Sequence, residues 1–149
     1  VQTAAAVFAA VLMCAALLGA AQAAGFTPLT VQTASGTHAF QVEVANDDAT
    51  RAQGLMYRRK LDPDKGMLFD FGRDQPVAMW MQNTYVALDM VFILADGTVH
   101  RVEDHTTPLS TRSIESGVDV RYVLELAAGT ADRLGITRGS KVKHAIIGK

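Results

Sequence analysis

The chain has 149 residues, with 14 basic and 15 acidic side chains and a net charge of −1. That length suits a single domain. No segment carries the surplus of Lys and Arg that marks a nucleic-acid-binding surface, which excludes that class of partner.

The hydrophobic content of 49% owes much to the first residues. Ala4 to Ala21 is an unbroken apolar or small-residue run, and residues 1–23 hold no charge. Ala21-Gln22-Ala23 gives a small-x-small cleavage pattern after an apolar stretch, the layout of a secretory signal peptide. A leader over 1–23 and a mature domain over 24–149 are expected, with a periplasmic or secreted location. The same run just reaches spanning length, so a retained anchor is the alternative. Cys14, the one cysteine, lies inside this run. A mature chain without a thiol excludes disulfides, a zinc-thiolate site and cysteine catalysis. It keeps enough residues for a core that needs no covalent staple.

Leu29 to Thr33 and Thr37 to Ala45 read as two strands about the turn Ala34-Ser35-Gly36. In the second, Phe40, Val42 and Val44 alternate with Gln41 and Glu43, which gives one buried and one wet face. Asn46 is the expected N-cap of a short helix with Asp47 and Asp48 in its first turn. Gly54 weakens that helix, and Leu61 to Gly66 reads as a loop. Met67 to Phe71 and Val77 to Gln82 are the next strands, separated by Gly72 to Pro76. Met79 to Ile93, with the only tryptophan, is expected to form the central strand pair, interrupted at Asn83-Thr84-Tyr85. Leu88 to Ala95 is apolar on both faces after Asp89, and Asp96-Gly97 turns it into Thr98 to Glu103. Residues 104–118 read as a long loop. Val120 to Ala127 is a strand, Ala131 to Leu134 a helical turn capped by Thr130, and Lys141 to Ile147 the last strand.

About eight short strands, two short helices and hairpin connections predict a mainly β domain, an antiparallel sandwich or small barrel. Five motifs then stand in order: Gly54-Leu55-Met56-Tyr57-Arg58, Gly66-Met67-Leu68-Phe69, Trp80-Met81-Gln82-Asn83-Thr84, Leu88-Asp89-Met90-Val91-Phe92, and Tyr122 through Gly129. In that order and spacing the chain, from about Val42 to Val142, resembles the family called domain of unknown function 192. The resemblance implies a compact β-sandwich-type domain, often behind a signal peptide or lipid anchor, with no established activity.

The candidate site residues are Arg58, Asn83, Thr84, Asp89 and Glu125. Asp89 opens an apolar strand, where a carboxylate must be bonded or protonated. Glu125 lies on the Arg121/Val123 face of its strand, and Arg58 could reach either acid with a bidentate fork. Gathered round a polar pocket, these residues would bind a small polar or saccharide-like ligand, or another envelope protein. As an alternative, Asp89 and Glu125 would act as acid and base in a cofactor-free hydrolase. The simpler reading has the two acids tying down loops. Met79 and Met81 share a face and would suit Cu(I), although methionine also fills core gaps. Trp80 is either core or a stacking platform for a sugar. The four histidines are scattered without an H-x-x-x-H pair, and no Gly-x-Ser-x-Gly motif occurs, so no metal, cofactor or catalytic serine is expected.

Overall fold

The computed structural model describes residues 25–149, so the expected leader and Cys14 lie outside the described residues. The elements are β1 (Thr27–Thr33), β2 (Gly36–Ala45), α1 (Asp48–Gln53), β3 (Lys65–Met79), β4 (Leu88–Ile93), β5 (Val99–Glu103), β6 (Ile114–Ala127), α2 (Thr130–Leu134) and β7 (Lys141–Lys143). Seven strands form one sheet in the order β5-β4-β6-β3-β2-β1-β7. It curls into a half-barrel. Its outer strands touch through the Thr98–Lys141 bridge. Val99 N–H there donates to the Ser140 carbonyl at 2.9 Å.

The mainly β class holds, with two corrections to the expected architecture. Among the described residues there is one curled sheet of seven strands, where a sandwich or barrel of about eight was expected. The sheet is also mixed, because β2 and β3 pair in parallel, with Gln41 opposite Lys65 and Ala45 opposite Phe69. α1 and its following loop make the crossover that a parallel pair requires. This helix is capped by Asp47 rather than Asn46: Asp47 Oδ1 accepts the Thr50 N–H at 2.8 Å, and Thr50 Oγ1 accepts the Asp47 N–H at 3.3 Å.

The strand borders also differ. The two strands expected over Met67–Phe71 and Val77–Gln82 are one, since β3 runs through the polar 72–76 segment in register-shifted pairing with β6. β6 starts at Ile114, which shortens the expected 104–118 loop. A two-stranded arm needs only one dry side, so polar residues there do not end pairing. Met79 to Ile93 is not a strand pair. Met79 ends β3, residues 80–87 form a loop, and Leu88–Ile93 is β4. The last strand is Lys141–Lys143 alone, and the residue that caps α2 is Gly129, not Thr130.

Two apolar layers sandwich the sheet. The inner one includes Val31, Phe40, Val42, Val91, Leu124 and Leu126. The outer one includes Leu55, Phe69, Met81, Met90, Phe92 and Val123, covered by the segment after α1 and the 80–87 loop. All six residues of β4 are buried, as a strand covered on both faces requires. Among the described residues no helix is long and apolar enough to cross a membrane.

Candidate functional site

Asp89 lies opposite Leu126 in the β4–β6 ladder, and Met90 lies opposite Glu125. Directly opposed residues share a face, so Asp89 looks into the inner layer with Leu126, and Glu125 into the outer layer with Met90. The sheet stands between the two acids. They cannot act on one bond from opposite sides, which removes the paired-carboxylate hydrolase. Asp89 is fully buried and fully bonded: Oδ1 accepts the His105 N–H at 2.9 Å and the Gly129 N–H at 3.2 Å, and Oδ2 accepts the Ala131 N–H at 2.8 Å. It is an anchor that ties the end of β5 and the start of α2 to β4.

Glu125 is the opposite case. Its side chain is only 4% exposed, and it makes no hydrogen bond within the described residues. No side-chain oxygen there is both sealed off and unpartnered, so the Glu125 carboxyl opens on free space. That space is a narrow cleft of about 30 Å³ lined by Gly54, Met56, Phe69, Met79, Trp80 and Thr84. Gly54 sits at φ 47°, and a Cβ there would approach the Phe69 ring to 3.1 Å, so the glycine lets the chain close over the cleft. Burial pushes the Glu125 carboxyl up to about 8, so it holds its proton at neutral pH.

Exposed aromatic side chains stand near the cleft: Trp80 lines it, and Tyr57 and Tyr85 follow its lining residues Met56 and Thr84 in the chain. Trp80 is 48% exposed, and Tyr57, Tyr85 and Leu109 are also large apolar side chains left in solvent. The Tyr57 and Tyr85 rings meet edge to face at 6.2 Å, and the Arg59 guanidinium lies over Tyr85. Asn83 joins them, since its Nδ2 donates to the Tyr57 hydroxyl at 3.0 Å and its carbonyl accepts the Tyr57 N–H at 2.8 Å. Leu109 N–H donates to the Thr84 carbonyl at 3.1 Å. Tyr57, Asn83 and Leu109 all have left-handed backbones, at φ 66°, 54° and 64°. Such conformations cost side-chain-bearing residues about 1 kcal/mol or more each and gather where loops serve a site.

The sequence-predicted site residues are therefore only partly gathered. Glu125 and Thr84 line the cleft, and Asn83 stands at its rim. Asp89 lies across the sheet. Arg58 reaches neither acid and instead pairs with Glu43 on β2. Met79 lines the cleft, but Met81 is fully buried, and its sulfur accepts the Thr106 hydroxyl at 3.2 Å. A fully buried thioether cannot join Met79 in holding an incoming ion, which removes the two-methionine copper site. Tyr57, Tyr85 and Leu109 were missed. They come from separate loops, and the left-handed turns that bring them together leave no periodic signal. Two other features are not sites of the same kind. A groove of about 440 Å³ runs along Pro76–Ala78 and Glu115–Asp119, but its buried Ser116 hydroxyl is already bonded to the Val77 N–H and the Val118 carbonyl. Asp104, His105 and Asp132 meet within 4.8 Å, all three exposed, with the Asp104 hydrogen bond raising the His105 pKa.

Comparison with known proteins bears on the whole described domain. No curated protein matches the chain. A crystal structure from Sinorhizobium meliloti 1021, of a protein described as a candidate transcription regulator, is 50% identical. It covers 80% of this chain and 93% of its own, with a TM-score of 0.78. A protein of unknown function from Novosphingobium aromaticivorans DSM 12444 is 34% identical, over 80% of this chain and 85% of its own, also with a TM-score of 0.78. The family model described as Uncharacterized ACR, COG1430, matches residues 30–144, and on that match the chain belongs to the DUF192 family.

Proposed function

We propose that this chain is an exported binding module whose ligand lies across the Tyr57–Trp80–Tyr85 rim and sends one small polar group to Glu125. One observation supports this most: a nearly fully buried acid without a partner faces a cleft beneath a half-exposed tryptophan. A ligand group that hydrogen-bonded this carboxyl would contribute about 0.5–1.5 kcal/mol net. The cleft holds about 30 Å³, so only the tip of a ligand enters and the rest lies on the rim. The apolar leader pattern over residues 1–23 supports the export part of this reading. The candidate-regulator description of the Sinorhizobium protein would suggest a nucleic-acid partner, but a net charge of −1 does not favour a phosphate backbone.

A thermal-shift screen against metals, sugars and cell-wall fragments tests the reading, because a ligand of the folded state raises the melting temperature. A hit whose stabilisation disappears in Trp80→Ala, with folding intact, supports it. Hits that survive both Trp80→Ala and Glu125→Leu place binding elsewhere and end it.

A further inference from the structure

We infer that the cleft takes an uncharged hydroxyl group of a saccharide, paired to the Glu125 carboxyl while the sugar ring rests on Trp80; this specifies the binding reading above and rests on it. The charges around the cleft point to a neutral guest. Besides Glu125, the one ionisable side chain lining it is Arg51. The Arg51 guanidinium is already taken, with Nη1 donating to the Asp70 carbonyl at 2.9 Å and Nη2 to the Asp48 carboxylate at 2.6 Å. The remaining walls are uncharged: Ala52 and Gln53 at the end of α1, Gly54, Leu55 and Met56 after it, Phe69 and Met79 on β3, and Trp80 and Thr84. Within the sheet Glu125 stands between Met67 on β3 and Met90 on β4.

Among the described residues Arg51 is the one cation at the cleft and it is engaged elsewhere, so at neutral pH the buried Glu125 is a protonated acid with one O–H donor and one carbonyl acceptor. A hydroxyl offers the complementary pair, and the two groups make two hydrogen bonds without bringing charge into the cleft. An ammonium would have to lose its hydration and force Glu125 to ionise, and the two desolvation penalties offset much of their attraction. Thr84 Oγ1 donates to the Gln82 carbonyl at 3.1 Å and keeps lone pairs for a further donor. A volume of about 30 Å³ has room for a group the size of a hydroxyl. Trp80 supplies the flat apolar body on which a sugar's C–H face can lie.

Trp80 is the only tryptophan in the chain, so selectively excited tryptophan emission reports on this site alone. The full chain is titrated at pH 6 to 9 with cellotetraose and with the glucosamine tetramer, which share a backbone and differ in a hydroxyl or an ammonium at C2. The expected result is quenching or a spectral shift with cellotetraose at pH 6 and an affinity about tenfold weaker at pH 9, as Glu125 loses its proton near 8. Glu125→Gln keeps a donor and an acceptor and cannot ionise, so its profile is expected to be flat with pH. Glu125→Leu is expected to lose at least about tenfold. Preference for the glucosamine tetramer at pH 6, where its C2 groups are ammonium, overturns the hydroxyl inference and leaves the binding reading standing. No change in Trp80 emission with either tetramer overturns the hydroxyl inference, and the thermal-shift hits then decide the binding reading separately. If a Glu125 variant does not fold, the pH profile of the wild-type chain alone decides between these outcomes.

Discussion

The carboxylate of Asp89 accepts the Ala131 N–H at 2.8 Å, which ties β4 to a helix 42 residues further along the chain. α2 needs this, because its own N-cap is Gly129 at φ 85°, which has no side chain to offer. The carboxylate takes the place of the absent cap and satisfies helix N–H groups at the positive end of the dipole. Its third bond fixes His105, itself at φ 47°. A residue that looks catalytic in the sequence is a knot between three segments.

Asp89→Asn is therefore expected to destabilise the fold by about 2–4 kcal/mol, since an amide nitrogen would face backbone donors that the carboxylate now satisfies. Urea unfolding measures this. Ligand-induced change in Trp80 emission should persist in the folded fraction. A loss below about 0.5 kcal/mol would mean the three bonds contribute little.

Glu125 makes stability depend on pH with a definite sign. Its folded value of about 8 lies above the ordinary 4.5. Below 4.5 both states hold the proton, and the stability is fully present. Between 4.5 and about 8 the unfolded chain ionises while the folded one does not, so stability falls, by about 5 kcal/mol in all, and then levels off. Glu125→Gln should flatten this part of the curve and gain up to about 3 kcal/mol at pH 7. Chemical denaturation from pH 4 to 9 checks it, and parallel curves for the two proteins would contradict it.

Gly97 sits at φ 87° in the turn before β5, where its carbonyl accepts the Val142 N–H at 2.8 Å. An added Cβ would overlap the Val142 carbonyl oxygen. Gly97→Ala should cost about 2–4 kcal/mol and raise amide exchange at Val99 and Val142 first, because it opens the contact between the sheet's two edges.

Met81 fills the outer layer and holds the Thr106 hydroxyl. Met81→Ala should cost about 2–5 kcal/mol through the cavity it leaves. Isothermal titration of the wild-type chain with Cu(I) should show no site that depends on Met81. A Cu(I) site lost in this variant, with stability unchanged, would restore the metal reading.

Local pattern was legible in the sequence, and long-range register was not. The alternation in Phe40, Val42 and Val44 and the two-sided apolar run of β4 both gave strands. The faces of Asp89 and Glu125 within their own strands were also readable. Whether those faces coincide depends on register, and a shift of one residue would have put both acids on one side. The polar 72–76 segment read as a loop because it lacks apolar alternation, yet it is a bulge within β3, and pairing with β6 resumes at Gln75. The parallel β2–β3 pair was hidden because α1 is only six residues long. Trp80 was visible as a candidate platform, but its exposure comes from the 80–87 loop, where Asn83 takes a left-handed backbone that no residue pattern announces.

The most direct test is a ¹³C NMR titration of the Glu125 side-chain carboxyl, assigned by comparison with Glu125→Gln, with and without cellotetraose. The expected midpoint is near 8 in the free protein and higher with the sugar present. A midpoint near 4.5, unmoved by the sugar, would mean that the acid is solvated and that the cleft holds no ligand of this kind.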